Sequence, residues 1–256
     1  MKFPKKTKFT AILLSITIIL IVGLILLLNK NPNTGVTILT SDENADCIFL
    51  LHGLARSSKS MEPLAKSLND IGYTTINIKY SSTKYNIETL SEKFLKPIVN
   101  EYCTEKNKKI NFVTHSLGGI VVRQFLSKNT LENLNKIIMI APPNKGSEIA
   151  DFVTKIPIVR SFYGPALKQL GTDKNSLPLK IIDSQYTLGI IAGNISYNPL
   201  FSYFLPDKDD GKVSVEKTKM NLMTDFIEVK STHTFIMQNK KVIELVKKFL
   251  KDEKFQ

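Results

Sequence analysis

The sequence predicts an α/β fold: a mostly parallel central sheet with helices on both faces, preceded by an N-terminal transmembrane helix. Three observations predict it. Short apolar runs rich in β-branched residues alternate with stretches of helical periodicity, the rhythm of parallel strands joined by right-handed crossovers. One such run, ending at Val113, passes straight into a helical pattern through Thr114-His115-Ser116-Leu117-Gly118-Gly119. Residues 11–28 carry no charged side chain.

In chain order, Lys2, Lys5, Lys6 and Lys8 precede that uncharged run. As a helix it spans about 27 Å, enough to cross the hydrocarbon core of a bilayer. It closes on Leu26-Leu27-Leu28-Asn29-Lys30, without a small-residue cleavage site or a cysteine for lipid attachment, which favours an uncleaved signal anchor over a cleaved signal peptide. The lysines stay on the cytoplasmic side, so the expectation is a single-pass inner or cytoplasmic membrane protein with the rest of the chain on the periplasmic or extracellular side. The chain then divides into residues 1–30, a basic stub and anchor; 31–44, a linker or first strand; and 45–256, one α/β domain.

The net charge is +12, and residues 1–30 hold five of the 35 basic side chains and none of the 23 acidic ones. A basic domain tethered at a bilayer would be drawn towards anionic headgroups; lysines spread over a solvated surface explain the same excess. No basic stretch is interleaved with aromatics and no reader motif occurs, which excludes nucleic-acid binding.

Residues 46–51 read as a buried strand ending at His52-Gly53, and 61–68 as a helix with Leu64 and Leu68 on one face. A β-branched strand follows at 73–80, then a helix over 87–102 with Leu90, Phe94, Ile98 and Tyr102 at four-residue steps. Residues 110–113 lead into the Ser116 turn, and the strand 136–140 is stopped by Pro142-Pro143. Residues 152–185 break the rhythm with Pro157, Gly164, Pro165, Gly171 and Pro178, and read as an insertion. Strands at 188–192 and 225–229 resume the core. The C-terminal helix is expected to bury Phe235, Ile236, Val242, Ile243, Val246 and Leu250.

A strand that turns into a helix through x-Ser-x-Gly is a nucleophile elbow, which exposes the serine hydroxyl at the helix N-terminus. Gly118 supplies the small residue two after the serine; two before it, Thr114 stands where glycine is usual. A serine that merely caps the helix would read the same way. For catalysis the hydroxyl needs an imidazole to take its proton and a carboxylate to fix that imidazole's tautomer. The chain has three histidines, His52, His115 and His233. No G-x-G-x-x-G follows a strand and no zinc motif occurs, so neither cofactor nor metal is expected.

Four stretches in order carry a resemblance: Leu51-His52-Gly53-Leu54-Ala55-Arg56-Ser57, Thr114-His115-Ser116-Leu117-Gly118-Gly119, Asp209-Asp210-Gly211-Lys212-Val213-Ser214-Val215, and Ser231-Thr232-His233-Thr234-Phe235. Over about residues 45–250 the chain resembles the α/β-hydrolase superfamily, specifically its bacterial lipase- and esterase-like serine hydrolases. The resemblance implies Ser116 as nucleophile, Asp210 as acid and His233 as base, in the Ser…Asp…His order of that fold. His115 adjoins the serine with its side chain expected to point away from the hydroxyl, and His52 lies too early in the chain. Asp207 or Asp209 could replace Asp210, with Glu148 and Asp151 as remoter options, and an acidic turn of this kind can also hold calcium. Backbone N–H groups of Leu54 and Leu117 should form the oxyanion hole.

In the same fold Cys47 and Cys103 fall near one end of neighbouring strands, where a disulfide and two buried thiols both remain open. The implied activity is hydrolysis of carboxylic esters, with an ester or lipid as substrate, through a Ser-His-Asp triad and an acyl-enzyme. Residues 152–185 would act as a cap over the serine. Acyl transfer, thioester cleavage, or a catalytically silent binding module of the envelope are the alternatives.

Overall fold

The computed structural model describes residues 34–256 apart from positions 106, 184 and 207. The transmembrane helix expected over 11–28 lies outside the described residues. Among the described residues, no helix is long and apolar enough to cross a membrane.

Seven strands form one sheet: β1 (Gly35–Leu39), β2 (Cys47–Leu51), β3 (Thr74–Lys79), β4 (Ile110–His115), β5 (Leu134–Ile140), β6 (Thr187–Gly193) and β7 (Asp225–Val229). Their spatial order is β1-β3-β2-β4-β5-β6-β7. Only β1 runs antiparallel to its neighbour; every other pair is parallel. β2 shows why such a sheet needs helices on both faces, because all five of its side chains are buried. Ile48 and Leu50 pack on one face with Leu64 and Leu68 of α1 (Glu62–Asn69). Phe49 and Leu51 pack on the other, with Leu90 and Ile98.

Helix α2 is built from Ile87–Thr89, a π-helical turn Leu90–Leu95, and Lys96–Glu101. The four-residue apolar spacing predicted one regular helix here. Pro97 has no N–H to give and crowds the carbonyl four residues back, and the wide turn just before it absorbs that misfit. The elbow helix α3 (Leu117–Leu126) is buried from Leu117 through Phe125.

The insertion folds as short helices: α4 (Glu148–Val153), α5 (Pro157–Tyr163), α6 (Pro165–Lys168) and α7 (Leu177–Lys180). Buried Arg123 of α3 ties it down, giving Nε and a terminal nitrogen to the two Asp183 oxygens at 2.8 and 2.7 Å and reaching Pro178 O at 3.0 Å. α8 (Pro199–Phe204) and α9 (Val215–Thr218) flank the Asp209-Asp210 turn. The amphipathic α10 (Lys240–Asp252) buries Val242, Ile243, Val246 and Leu250 as expected, and Leu245 and Phe249 as well. Two of its expected residues behave differently. Ile236 is buried in a separate 3-10 turn, Ile236–Gln238, and Phe235 is 62 % exposed beside His233. Cys47 and Cys103 are joined as a disulfide, which settles the alternative the sequence leaves open.

Candidate active site

Ser116 sits between β4 and α3 at φ 52°, ψ −120°, a conformation an L residue adopts only when its surroundings enforce it. Its N–H donates to Ile140 O at 2.9 Å. Gly118 lets α3 cross close to β2, since a Cβ there would lie 2.6 Å from Leu51 O. Thr114, in the place of the usual glycine, is fully buried with its hydroxyl 3.5 Å from Ile138 O, and Gly119 leaves room for it.

The structure brings three of the expected residues together. His233 Nε2 lies 3.0 Å from Ser116 Oγ, and its Nδ1 lies 2.7 Å from Asp210 Oδ2. The other Asp210 oxygen accepts the N–H groups of Lys212 at 3.0 Å and Val213 at 2.9 Å. The His233 N–H donates to Asp210 O at 2.8 Å, so the imidazole is held through ring and backbone alike. A carboxylate can only accept from Nδ1–H, which leaves the Nε2 lone pair facing the serine hydroxyl. This is the arrangement of nucleophile, base and orienting acid.

The other carboxylates have different work. Asp209 Oδ1 accepts from Gly211 N at 2.7 Å and Ser202 Oγ at 3.1 Å, closing the turn. Asp151 accepts from Thr172 Oγ1 at 2.6 Å and joins α4 to the rest of the insertion. Burial raises the Glu148 carboxyl, and its contacts place it outside the triad. Asp207 lies outside the described residues. Among the described residues no group of three His, Cys, Asp or Glu side chains could hold a metal.

His115 makes no hydrogen bond to the serine hydroxyl among the described residues, but it packs on His233. Its ring lies 4.9 Å from the His233 ring, and its Nε2 donates to His233 O at 3.1 Å, so it touches the base. Burial, then the charges of its neighbours, hold this imidazole well below the ordinary histidine range, so it stays neutral. His52 is also buried, stacked on Tyr80 with ring centroids 4.1 Å apart, and burial pushes it down to about 4. Tyr80 donates its hydroxyl to His52 O, which fixes the loop that leads to Leu54.

The serine opens into a cleft of about 110 Å³. One wall is apolar and comes from 149–170: Ile149, Val153, Val159, Tyr163, Leu167 and Leu170. Phe152 stacks on Phe204 instead, and Ile158 is exposed. Arg56 and Lys212 supply the cleft's cations, two residues the sequence reading did not single out. Arg56 donates to Thr234 O at 2.9 Å, beside His233. Burial and the nearby Arg56 charge push the Lys212 ammonium down to about 8. Leu54 lines the cleft, and Leu117 is the first residue of α3, whose N–H precedes the helical ladder.

A seven-stranded sheet in this order is that of the α/β-hydrolase fold, and Ser116, Asp210 and His233 meet at its C-terminal edge. Residues 41–158 match the family described as "Putative serine esterase (DUF676)". No curated protein matches the sequence. Among solved structures, a lipase of Bacillus licheniformis, BlEst2 in mature form, superposes with a TM-score of 0.67 at 19 % identity, covering 86 % of this chain and 98 % of that one. A thermophilic esterase of Thermogutta terrifontis gives 0.56 at 11 % identity over 86 % and 93 %. The phospholipase PlaB of Legionella pneumophila gives 0.56 at 18 % identity over 68 % and 46 %. The family match over residues 41–158 points to a serine esterase, a carboxylic ester hydrolase, and the solved structures share its fold.

Proposed function

We propose that Ser116, His233 and Asp210 cleave carboxylic esters through an acyl-enzyme, in a domain tethered to the outer face of the cytoplasmic membrane. The continuous chain Ser116 Oγ–His233–Asp210, at 3.0 and 2.7 Å, carries the reading. His233 Nε2 takes the hydroxyl proton as Oγ attacks the ester carbonyl. Asp210, buried and hydrogen-bonded, stabilises the imidazolium that forms. The oxyanion of the tetrahedral intermediate is held by the N–H groups of Leu54 and Leu117. His233 then gives its proton to the departing alcohol, and a water molecule, deprotonated by the same imidazole, releases the acid. The apolar wall from 149–170 covers the acyl chain, so residues 152–185 serve as a cap.

Location rests on separate support. The lysines before the uncharged run at 11–28 favour an uncleaved anchor with residues 31–256 outside, and a disulfide between Cys47 and Cys103 suits an oxidising compartment. Retention of the intact chain in membranes through a high-salt wash tests the anchor, and recovery of a mature chain beginning near Asn31 would replace it with a cleaved signal.

Fluorophosphonate labelling together with hydrolysis of an aryl ester tests the chemistry. Ser116→Ala should lose both, and His233→Ala and Asp210→Asn should each lower kcat by about a thousandfold or more with the fold intact. Hydrolysis by Ser116→Ala at near the wild-type rate would refute the assignment.

A further inference from the structure

Beside the catalytic cleft lies a second, larger groove of about 540 Å³. It is lined by Arg56, Lys59, Lys79 and Lys84 and, among the described residues, by no carboxylate. None of these four cations makes an ion pair within the described residues. Hydroxyls fill the spaces between them, Ser57 and Thr83 among others. Four like charges gathered on one concave surface repel each other, and an anion bound there relieves the repulsion.

The groove and the cleft adjoin at Arg56. Arg56 lines both, and of two neighbouring rings on α5, Tyr163 faces the cleft and Phe162 the groove. The junction is tightly fitted, because Gly164, at φ 75°, packs so closely on the Thr83 backbone that a Cβ would meet Thr83 O at 1.8 Å. An ester seated at Ser116 with its acyl chain on the apolar wall would point its alcohol half towards Arg56, the residue that the groove shares.

Resting on the esterase reading above, we propose that this groove binds an anionic, hydroxyl-bearing headgroup on the alcohol half of the substrate, of the glycerol-phosphate type. The lysines and Arg56 meet the phosphate oxygens, and the serine and threonine hydroxyls meet those of the polyol. The substrate class is then an acyl ester of a phosphorylated polyol, apolar at one end and multiply charged or hydroxylated at the other.

The test compares hydrolysis, by the full chain in neutral detergent, of dihexanoyl phosphatidylglycerol and dihexanoylglycerol, which differ in the phosphodiester headgroup. The ratio of their kcat/KM values should favour the charged ester and fall about tenfold in Lys79→Gln/Lys84→Gln. Lys79→Arg/Lys84→Arg should restore it, and about 0.5 M salt should compress it. A purely structural role for these lysines would lower both substrates together and leave the ratio unchanged. A wild-type ratio near one, or a ratio unmoved by the glutamine pair, overturns the headgroup site while the esterase reading stands. Should neither ester be cleaved, turnover of the aryl ester decides the esterase reading, and calorimetric titration of the Ser116→Ala chain with glycerol 1-phosphate decides the groove. Binding that the glutamine pair abolishes supports it, and absence of binding overturns it. Inorganic phosphate binding as tightly as glycerol 1-phosphate overturns the headgroup in favour of a free-anion site.

Discussion

Replacing both members of the Cys47–Cys103 disulfide by alanine should destabilise the domain without disabling it. The bridge closes a loop with a sequence separation of 56, and chain-entropy reasoning for a loop of that length gives about 4 kcal/mol. Alanine is chosen because serine would leave a hydroxyl buried at position 47, where the cysteine is 2 % exposed. Against a typical total stability of about 5–15 kcal/mol that is a large fraction, and for a domain of this size it corresponds to a fall in melting temperature of about 10 °C. Activity well below that temperature should survive. Cys47 opens β2 and pairs in register with Thr74 and Ile110 at the start of β3 and β4, whereas the serine follows the far end of β4, about 20 Å along the strands. Equilibrium guanidinium denaturation followed by circular dichroism, with aryl-ester turnover measured at 20 °C (a choice of about ambient temperature), separates the two effects. A stability change under about 1 kcal/mol would refute the loop-closure reasoning. Lost turnover in a fully folded variant would refute the separation between bridge and site.

Three further outcomes follow from the geometry. His115→Ala removes the donor to His233 O and should lower kcat by about tenfold, far less than His233→Ala, with His115→Gln recovering part of the loss; parity of the two alanine variants would overturn the division of roles. His52 binds its proton more weakly folded, at about 4, than unfolded, at 6.5. Its stabilising contribution is therefore complete above pH 6.5 and is lost as pH falls towards 4, about 3 kcal/mol in all, with His115 acting in the same direction; denaturation midpoints that stay flat across this window would contradict it. Finally, Leu167→Asn should reduce turnover of octanoate esters much more than of acetate esters, since each buried methylene contributes up to about 0.8 kcal/mol. Equal losses for the two chain lengths would remove the cap from the acyl site.

Most of the sheet was legible because every strand but β1 is announced by its own apolar run. Five of the six strands read from the sequence extend by no more than a residue or two beyond or within the expected bounds, and β7 matches over Asp225–Val229. Ser116, Asp210 and His233, the residues the resemblance implies, lie in one hydrogen-bonded chain, and Gly118 and Gly211 mark the turns that carry two of them. His115, Arg56 and Lys212 were not legible. A buried histidine beside the nucleophile and a cation after a strand have no periodicity to betray them, and their roles exist only once residues 56, 115, 212 and 233 meet in space. Phe162 and Tyr163 make the same point. They are adjacent in sequence and alike in character, yet successive residues of a helix point about 100° apart, so each lines a different cavity.

Backbone conformation was the other hidden quantity. Ala55, Ser116 and Ala141 all have positive φ, at 55°, 52° and 50°, and they stand just beyond β2, β4 and β5, three neighbouring strands. Residues with a Cβ occupy such conformations at a cost of about 1–3 kcal/mol each, and nothing in their identity advertises it. What holds them is visible only in the fold: Ala55 N–H donates to Ser82 Oγ at 3.0 Å, Ser116 N–H to Ile140 O at 2.9 Å, and Ala141 N–H to Ile191 O at 2.8 Å. Each strained residue is thus pinned to a neighbouring strand or the loop that follows one, so the strain is shared by the whole C-terminal edge of the sheet. That edge is also where the serine and both cavities open. The interlock fixes the serine hydroxyl and the Leu54 loop relative to one another before any substrate arrives, which is the preorganisation that ester cleavage at an oxyanion hole requires.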